Sequence, residues 1–148
     1  MSEVEKADFL TLLIVYRGYH CPVCKSYIPQ LDKMRIQFEE MGVQVIAASS
    51  DSKERAEQTV EEWEINELKV GYGLSIEKAR EFGLYISKGI KEEEPEIFSE
   101  PGLFLIKLDR PLYAAAIQTM PFARPNLREL LQGLQFVKQS DYLARGEA

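Results

Sequence analysis

Apolar positions along the chain fall into short runs of two kinds. Phe9 to Tyr16 is continuous and β-prone, with little polar alternation, and predicts a buried central strand. Val43 to Ser49 repeats the pattern. Between them, Tyr27/Ile28, Leu31, Met34, Phe38 and Met41 keep helical spacing, which predicts a helix from about Pro22 to Met41. Proline suits its first turn, Pro29 kinks it, and Gly42 ends it. Further on, Ser50-Asp51 predicts a cap for a helix with Ala56, Val60 and Trp63 inward. Leu68 to Tyr72 reads as a short strand. Ser75 opens a helix carrying Ile76, Ala79 and Phe82, stopped by Gly83. Lys88 to Glu100 is polar and acidic and reads as an exposed loop. Leu103 to Leu108 and Leu112 to Gln118 form a hairpin around Asp109-Arg110-Pro111. A last helix starts at Pro125, with Leu127, Leu130, Leu131, Leu134 and Val137 on one face, and frays from Lys138.

The order β-α-β-α-β-α-β-β-α predicts an α/β fold: a parallel core, antiparallel strands added late, and helices on both faces of a central mixed sheet. No internal repeat and no Gly-, Pro- or Ser-rich linker divides the 148 residues, so one domain spanning 1–148 is expected. A chain of this length buries about 68–70% of its unfolded surface and needs no disulfide or metal to fold. Charge narrows the partners. With 18 basic and 24 acidic residues, a net charge of −6 and no basic run, neither nucleic acid nor an anionic membrane is an expected partner. The apolar run around Leu12 to Val15 is too short to span a bilayer, and Met1 to Lys6 is polar, unlike a secretory signal. A cytosolic protein is expected.

Two cysteines three apart in such a chain point to redox or metal chemistry. Tyr19-His20-Cys21-Pro22-Val23-Cys24 joins a buried strand to a helix. At a helix N-terminus, free N–H groups and the macrodipole stabilise an anion, and the thiolate is the reactive form of cysteine. The offset places the two sulfurs within disulfide reach across one turn. Cys21, the more N-terminal and exposed, is the expected nucleophile, and Cys24 the resolving thiol. The bland alternatives are two buried structural cysteines or half of a zinc site. Zinc wants four ligands, and the single histidine is His20. No metal and no cofactor is expected.

The apolar strand, the aromatic turn, Cys21-Pro22-Val23-Cys24-Lys25 and Pro29 resemble thioredoxin-type proteins. The longer pattern resembles the alkyl hydroperoxide reductase and thiol-specific antioxidant branch, the peroxiredoxins and peroxiredoxin-like proteins. It runs through Leu12 to Cys24, Gly42 to Asp51, Ala79 to Leu84, and Phe122-Ala123-Arg124-Pro125. The resemblance implies a thioredoxin-like fold and a thiol-dependent oxidoreductase that reduces peroxides or disulfides. It implies an external thiol reductant, such as a thioredoxin or glutathione system, and admits a homodimer. A catalytically weak redox sensor or binding module on the same fold is the alternative.

The resemblance also assigns residues. Arg124 matches a peroxiredoxin arginine that supports the thiolate. Pro101 matches the cis-proline that thioredoxin folds pack against their cysteines, with Glu100 before it exposing backbone to substrate. His20 occupies an aromatic position that shapes access, with acid–base work as the other reading, and Arg17 adds positive potential or is a surface charge. Three positions depart from the peroxiredoxin pattern. Its proline and hydroxyl residue, seven and three before the cysteine, are Ile14 and Gly18 here, and its glutamate three after is Cys24.

Overall fold

The computed structural model describes residues 9–109 and 111–146. The polar start Met1 to Lys6 and the turn residue Arg110 lie outside them. Strand β1 (Leu10–Val15) is central. It pairs in parallel with β2 (Val43–Ala48), which pairs in parallel with β3 (Lys69–Gly71). On its other side it pairs antiparallel with β6 (Gly102–Lys107), which pairs with β7 (Leu112–Ile117). The sheet order is therefore β3-β2-β1-β6-β7. A separate two-stranded sheet joins β4 (Ile86–Lys88) and β5 (Ile97–Ser99).

Alternation along β1 sorts its side chains. Leu10, Leu12 and Ile14 enter the main core with Val43, Val45 and Ala47 of β2 and Leu103 and Leu105 of β6. Helix α1 (Pro22–Glu40) covers this face with Ile28, Leu31 and Phe38, and helix α4 (Leu127–Ser140) with Leu127, Leu131 and Leu134. Each such side chain, fully buried, contributes about 1.5–3 kcal/mol. The opposite face carries Val15 and Phe104, packed on Ala79 of the short helix α3 (Ile76–Glu81) and on Leu84. Gly42 follows the C-cap of α1 at φ 87°, a conformation that costs other residues a steric clash.

Four expectations change. Helix α2 (Lys53–Glu62) is capped by Ser52, not Ser50-Asp51, because Ser52 Oγ accepts the Arg55 N–H at 3.3 Å while Asp51 is bonded elsewhere. The later start turns Thr59 inward with Ala56 and Trp63 and leaves Val60 exposed. Lys88 to Glu100 is not one exposed loop: Phe98, Ser99 and Glu100 are buried, and the segment pairs into a hairpin. Helix α4 opens at Leu127, where Asn126 Oδ1 accepts the Glu129 N–H, and a 3-10 turn at Pro121–Ala123 precedes it. Its end is held where fraying was expected, with Lys138 Nζ donating to the Met41 carbonyl at 2.6 Å above the Phe9 ring.

Asp32, buried on α1, ties that helix to the segment before β3. Its carboxylate accepts the N–H groups of Asn66, Glu67 and Leu68 at 2.9, 3.1 and 2.9 Å. Burial works against ionisation, but the three N–H donors, with Arg35, outweigh it and hold the carboxyl below the usual carboxylate range. A depressed native pKa adds stability that is complete above the unfolded value of about 3.9 and is lost as pH falls through the native one. Asp32→Ala is expected to cost about 1–3 kcal/mol at pH 7, with three donors left without their acceptor. In urea unfolding the wild type should lose more stability than the variant between neutral pH and pH 3. Equal loss in both proteins would refute the linkage.

Candidate active site

The cysteines sit beyond the carboxyl end of β1. Tyr16 to His20 leave that strand, and Cys21 is the N-cap of α1, with extended φ −97° and ψ 109°. Its Sγ accepts the Cys24 N–H at 3.3 Å. That N–H is one of the donors a helix start leaves unpaired, so the sulfur acts as the capping acceptor. Cys24, one turn further, is fully buried. Both thiols are free. Contrary to the expectation of an exposed nucleophile, Cys21 is only 2% exposed. It lies in the wall of a groove of about 580 Å³ lined by Tyr19, His20, Lys25, Arg55 and Trp63 among others. Packing of the Tyr19–His20 turn against α2 and β5 recesses it.

Arg124 arrives from the turn before α4, and its target differs from the expected one. Nη2 donates to the Sγ of Cys24, not Cys21. The guanidinium lies 4.8 Å above the Tyr27 ring, whose hydroxyl bonds the Pro125 carbonyl at 2.8 Å. Nε and Nη1 are buried without a hydrogen-bond partner among the described residues. The thiols divide their charge accordingly. A hydrogen bond from the Cys24 side chain holds the Cys21 thiol below the ordinary thiol range, against the cost of burial. The Cys24 N–H and the charges of Arg124 and Arg17 add to the effect. Burial, with the Cys21 sulfur beside it, pushes the Cys24 thiol up. The two shifts run in opposite directions, which favours the charge on Cys21 and the proton on Cys24.

Arg17 is committed rather than free. Its Nε and Nη2 donate to the two Glu100 oxygens at 2.8 and 2.9 Å, above the Phe98 ring. Ser87 Oγ donates to the same carboxylate at 2.5 Å. Glu100 is 2% exposed, its carboxylate is a buried anchor, and its backbone carbonyl, expected to face a substrate, accepts Ser99 Oγ at 3.0 Å. The Glu100–Pro101 bond is trans, since there is no cis peptide bond among the described residues. Hydrogen bonds on either side hold this extended link between β5 and β6. Glu100 N–H donates to the Tyr85 carbonyl, and the Pro101 carbonyl accepts the Gln118 N–H. The trans form is also the intrinsically favoured one. His20 packs edge-on to Phe98 at 4.7 Å, its nitrogens without partners among the described residues. Burial lowers its pKa, which disfavours the charged ring.

The AhpC/TSA family model matches residues 1–114, which include the strand, the turn and both cysteines. The chain belongs to the AhpC/TSA family. The fold is similar to that of peroxiredoxin 6 from Arenicola marina (TM-score 0.71, 16% identity, 90% of this chain and 63% of that one). It is similar also to a peroxiredoxin-like protein from Aquifex aeolicus (0.70, 18%, 88% and 72%). AhpC of Mycobacterium tuberculosis gives 0.70, 16%, 94% and 76%. This chain thus spans 63% of the length of the Arenicola marina protein. No curated protein matches it in sequence.

The family match ends before Arg124, whose place beside the cysteines therefore rests on geometry. The structure brings Cys21, Cys24, Arg124 and His20 together. It sets Arg17, Glu100 and Pro101 behind the turn as support. Sequence reasoning missed Ser87, Tyr27 and Asp51; of these, only Asp51 had a local signal, and capping explained it away.

In reduced protein, the pH profile of Cys21 alkylation should have its midpoint below the free-thiol value of about 8.5. Arg124→Ala should move that midpoint upward while leaving the melting temperature nearly unchanged. A wild-type midpoint at or above the free value would remove the electrostatic account.

Proposed function

We propose that the protein reduces a hydroperoxide through a Cys21–Cys24 dithiol/disulfide cycle. The observation that carries the reading is a recessed sulfur at a helix N-cap, with a second sulfur one turn away under an arginine. The Cys21 thiolate attacks one peroxide oxygen, the O–O bond breaks, and the leaving alkoxide or hydroxide takes a proton. Cys21 is then a sulfenic acid. Cys24 gives up its proton and attacks the Cys21 sulfur, and water departs with the sulfenic oxygen. An external thiol pair opens the disulfide through a mixed disulfide on Cys21, supplying two electrons and two protons. A cytosolic thioredoxin or glutathione system has the right chemistry, and a homodimer is compatible with the cycle.

Several features support peroxide over a protein disulfide as substrate. Cys21 is recessed, which admits a small molecule more readily than a protein sulfur needing an in-line approach. The unpartnered Nε and Nη1 of Arg124 leave charged donors near the reacting sulfurs. One observation favours the second reading, a slow redox sensor. Gly18 has no hydroxyl to donate to a peroxide oxygen where peroxiredoxins carry one.

Stopped-flow oxidation of the reduced protein by hydrogen peroxide and by an alkyl hydroperoxide, set against a model protein disulfide, separates the readings. Faster oxidation by a peroxide is expected; a faster reaction with the disulfide sinks the peroxidase reading, and slowness toward both favours the sensor. Mass spectrometry after mild oxidation tests the cycle. Cys24→Ser should stop after one turnover with a trapped sulfenic acid or mixed disulfide on Cys21, and Cys21→Ser should not react. Normal turnover by Cys24→Ser would make Cys24 a structural thiol.

A further inference from the structure

Asp51 lies in the loop after β2, outside the pair of cysteines and their arginine, and is 3% exposed. Its carboxylate faces the turn that delivers Cys21. Oδ2 accepts the Tyr19 N–H at 2.8 Å, and Oδ1 accepts Arg55 Nε at 3.4 Å. Gly18, the residue before Tyr19, adopts φ +137°, and a Cβ built on it would lie 2.8 Å from Oδ1 and 3.1 Å from Cγ of Asp51. The carboxylate therefore occupies the space that any side chain at position 18 would enter. The Gly18 carbonyl in turn accepts the Cys21 N–H at 3.1 Å, closing the turn onto the N-cap.

Asp51 is itself fixed. Its N–H donates to Ser49 Oγ at 3.2 Å, and its carbonyl accepts the Gly73 N–H at 2.8 Å. Tyr19 is held on its far side as well. Its ring stacks on Trp63 and lies under Arg55, and its hydroxyl donates to Glu62 at 2.5 Å. The turn thus has one rigid acceptor behind it and an aromatic clamp in front.

We propose that Asp51 is a positioning residue for Cys21: its carboxylate holds the Gly18–Cys21 turn and so sets the sulfur at the helix N-cap. This deepens the dithiol reading above and rests on Cys21 being its nucleophile. Its test reads the thiolate rather than peroxide turnover, so either idea can fail alone. A side chain from the neighbouring loop thus fills, from behind, the position where the peroxiredoxin pattern has a hydroxyl residue.

The sign of one shift decides between positioning and mere charge. The charged or titratable groups around the two side chains are Cys24, Arg17, Arg124 and His20 with Lys25, Glu62, Glu92 and Glu93 of the groove near Cys21, and Arg55, Tyr16 and His20 near Asp51. If Asp51 acted only as a nearby negative charge, removing it would make the Cys21 thiolate easier to form. If it positions the sulfur, Asp51→Ala should weaken the N-cap contact and move the alkylation midpoint of Cys21 upward by about half to one pH unit. Asp51→Asn keeps an acceptor for the Tyr19 N–H and should not move the midpoint upward. A midpoint that falls or stays in folded Asp51→Ala, or that rises equally in Asp51→Asn, overturns the proposal. Hydrogen exchange on the wild type gives a check independent of variant folding. The Tyr19 amide should exchange at least about tenfold more slowly than an unprotected one, and exchange at the unprotected rate would also overturn it.

Discussion

The Cys21 sulfur takes the place of a capping oxygen at the start of α1, and the rest of the molecule keeps that contact in register. A cap of this kind works only if the helix end and the residue before it hold a fixed relation. Here β1 fixes the start of the turn that leads to the cap, paired on both sides across its whole length. Helix α1 is fixed by its apolar face on the sheet and by the three backbone bonds of Asp32. The six residues between strand and helix are tied at both ends, and Asp51 holds their middle through the Tyr19 N–H. The Cys24 N–H therefore meets the Cys21 sulfur, and that contact favours the thiolate.

Charge placement around that contact follows from what is buried. Arg17 is close in sequence to Cys21, yet its guanidinium is taken up by a buried carboxylate. A buried Glu100 without a partner would carry a large desolvation penalty, and two guanidinium bonds with a serine hydroxyl offset it. Arg124, a hundred residues away from Cys24, has no carboxylate within bonding distance among the described residues and gives its charge to the sulfurs. The asymmetry of the pair, with the Cys21 pKa shifted down and that of Cys24 up, also depends on burial. The deeper sulfur has less solvent to stabilise a charge and the outer one has the helix N–H. Such an asymmetry suits a nucleophile followed by a resolving thiol.

Much of the frame was legible in the chain because its signals are local. Unbroken apolar runs at Phe9 to Tyr16 and Val43 to Ser49 have no stable place except the middle of a sheet. The 3–4 spacing on α1 and α4 leaves one face to bury. The strand-to-helix junction at Cys21 and the placing of two thiols one turn apart needed no tertiary information. Neither did the order of elements, which restricts the sheet to a few topologies.

What the chain did not disclose depends on partners distant in sequence. Lys88 to Glu100 looked solvated because its charges dominate the pattern; Arg17, 83 positions from Glu100, makes that carboxylate buriable. Asp51 looked like a cap because Ser50-Asp51 stands before a helix, but the Tyr19 N–H, 32 positions earlier, competes for it and the cap moves to Ser52. Which sulfur Arg124 serves was equally beyond a linear reading, since a bonding distance between two loops exists only after the sheet has closed. The sequence by itself determined the strands, the helix faces and the dithiol at a helix start, because each is set by neighbours within a turn or a strand. Tertiary structure alone decided which charges are spent in pairs and which remain at the site, because that choice is made by desolvation, and desolvation belongs to the packed chain.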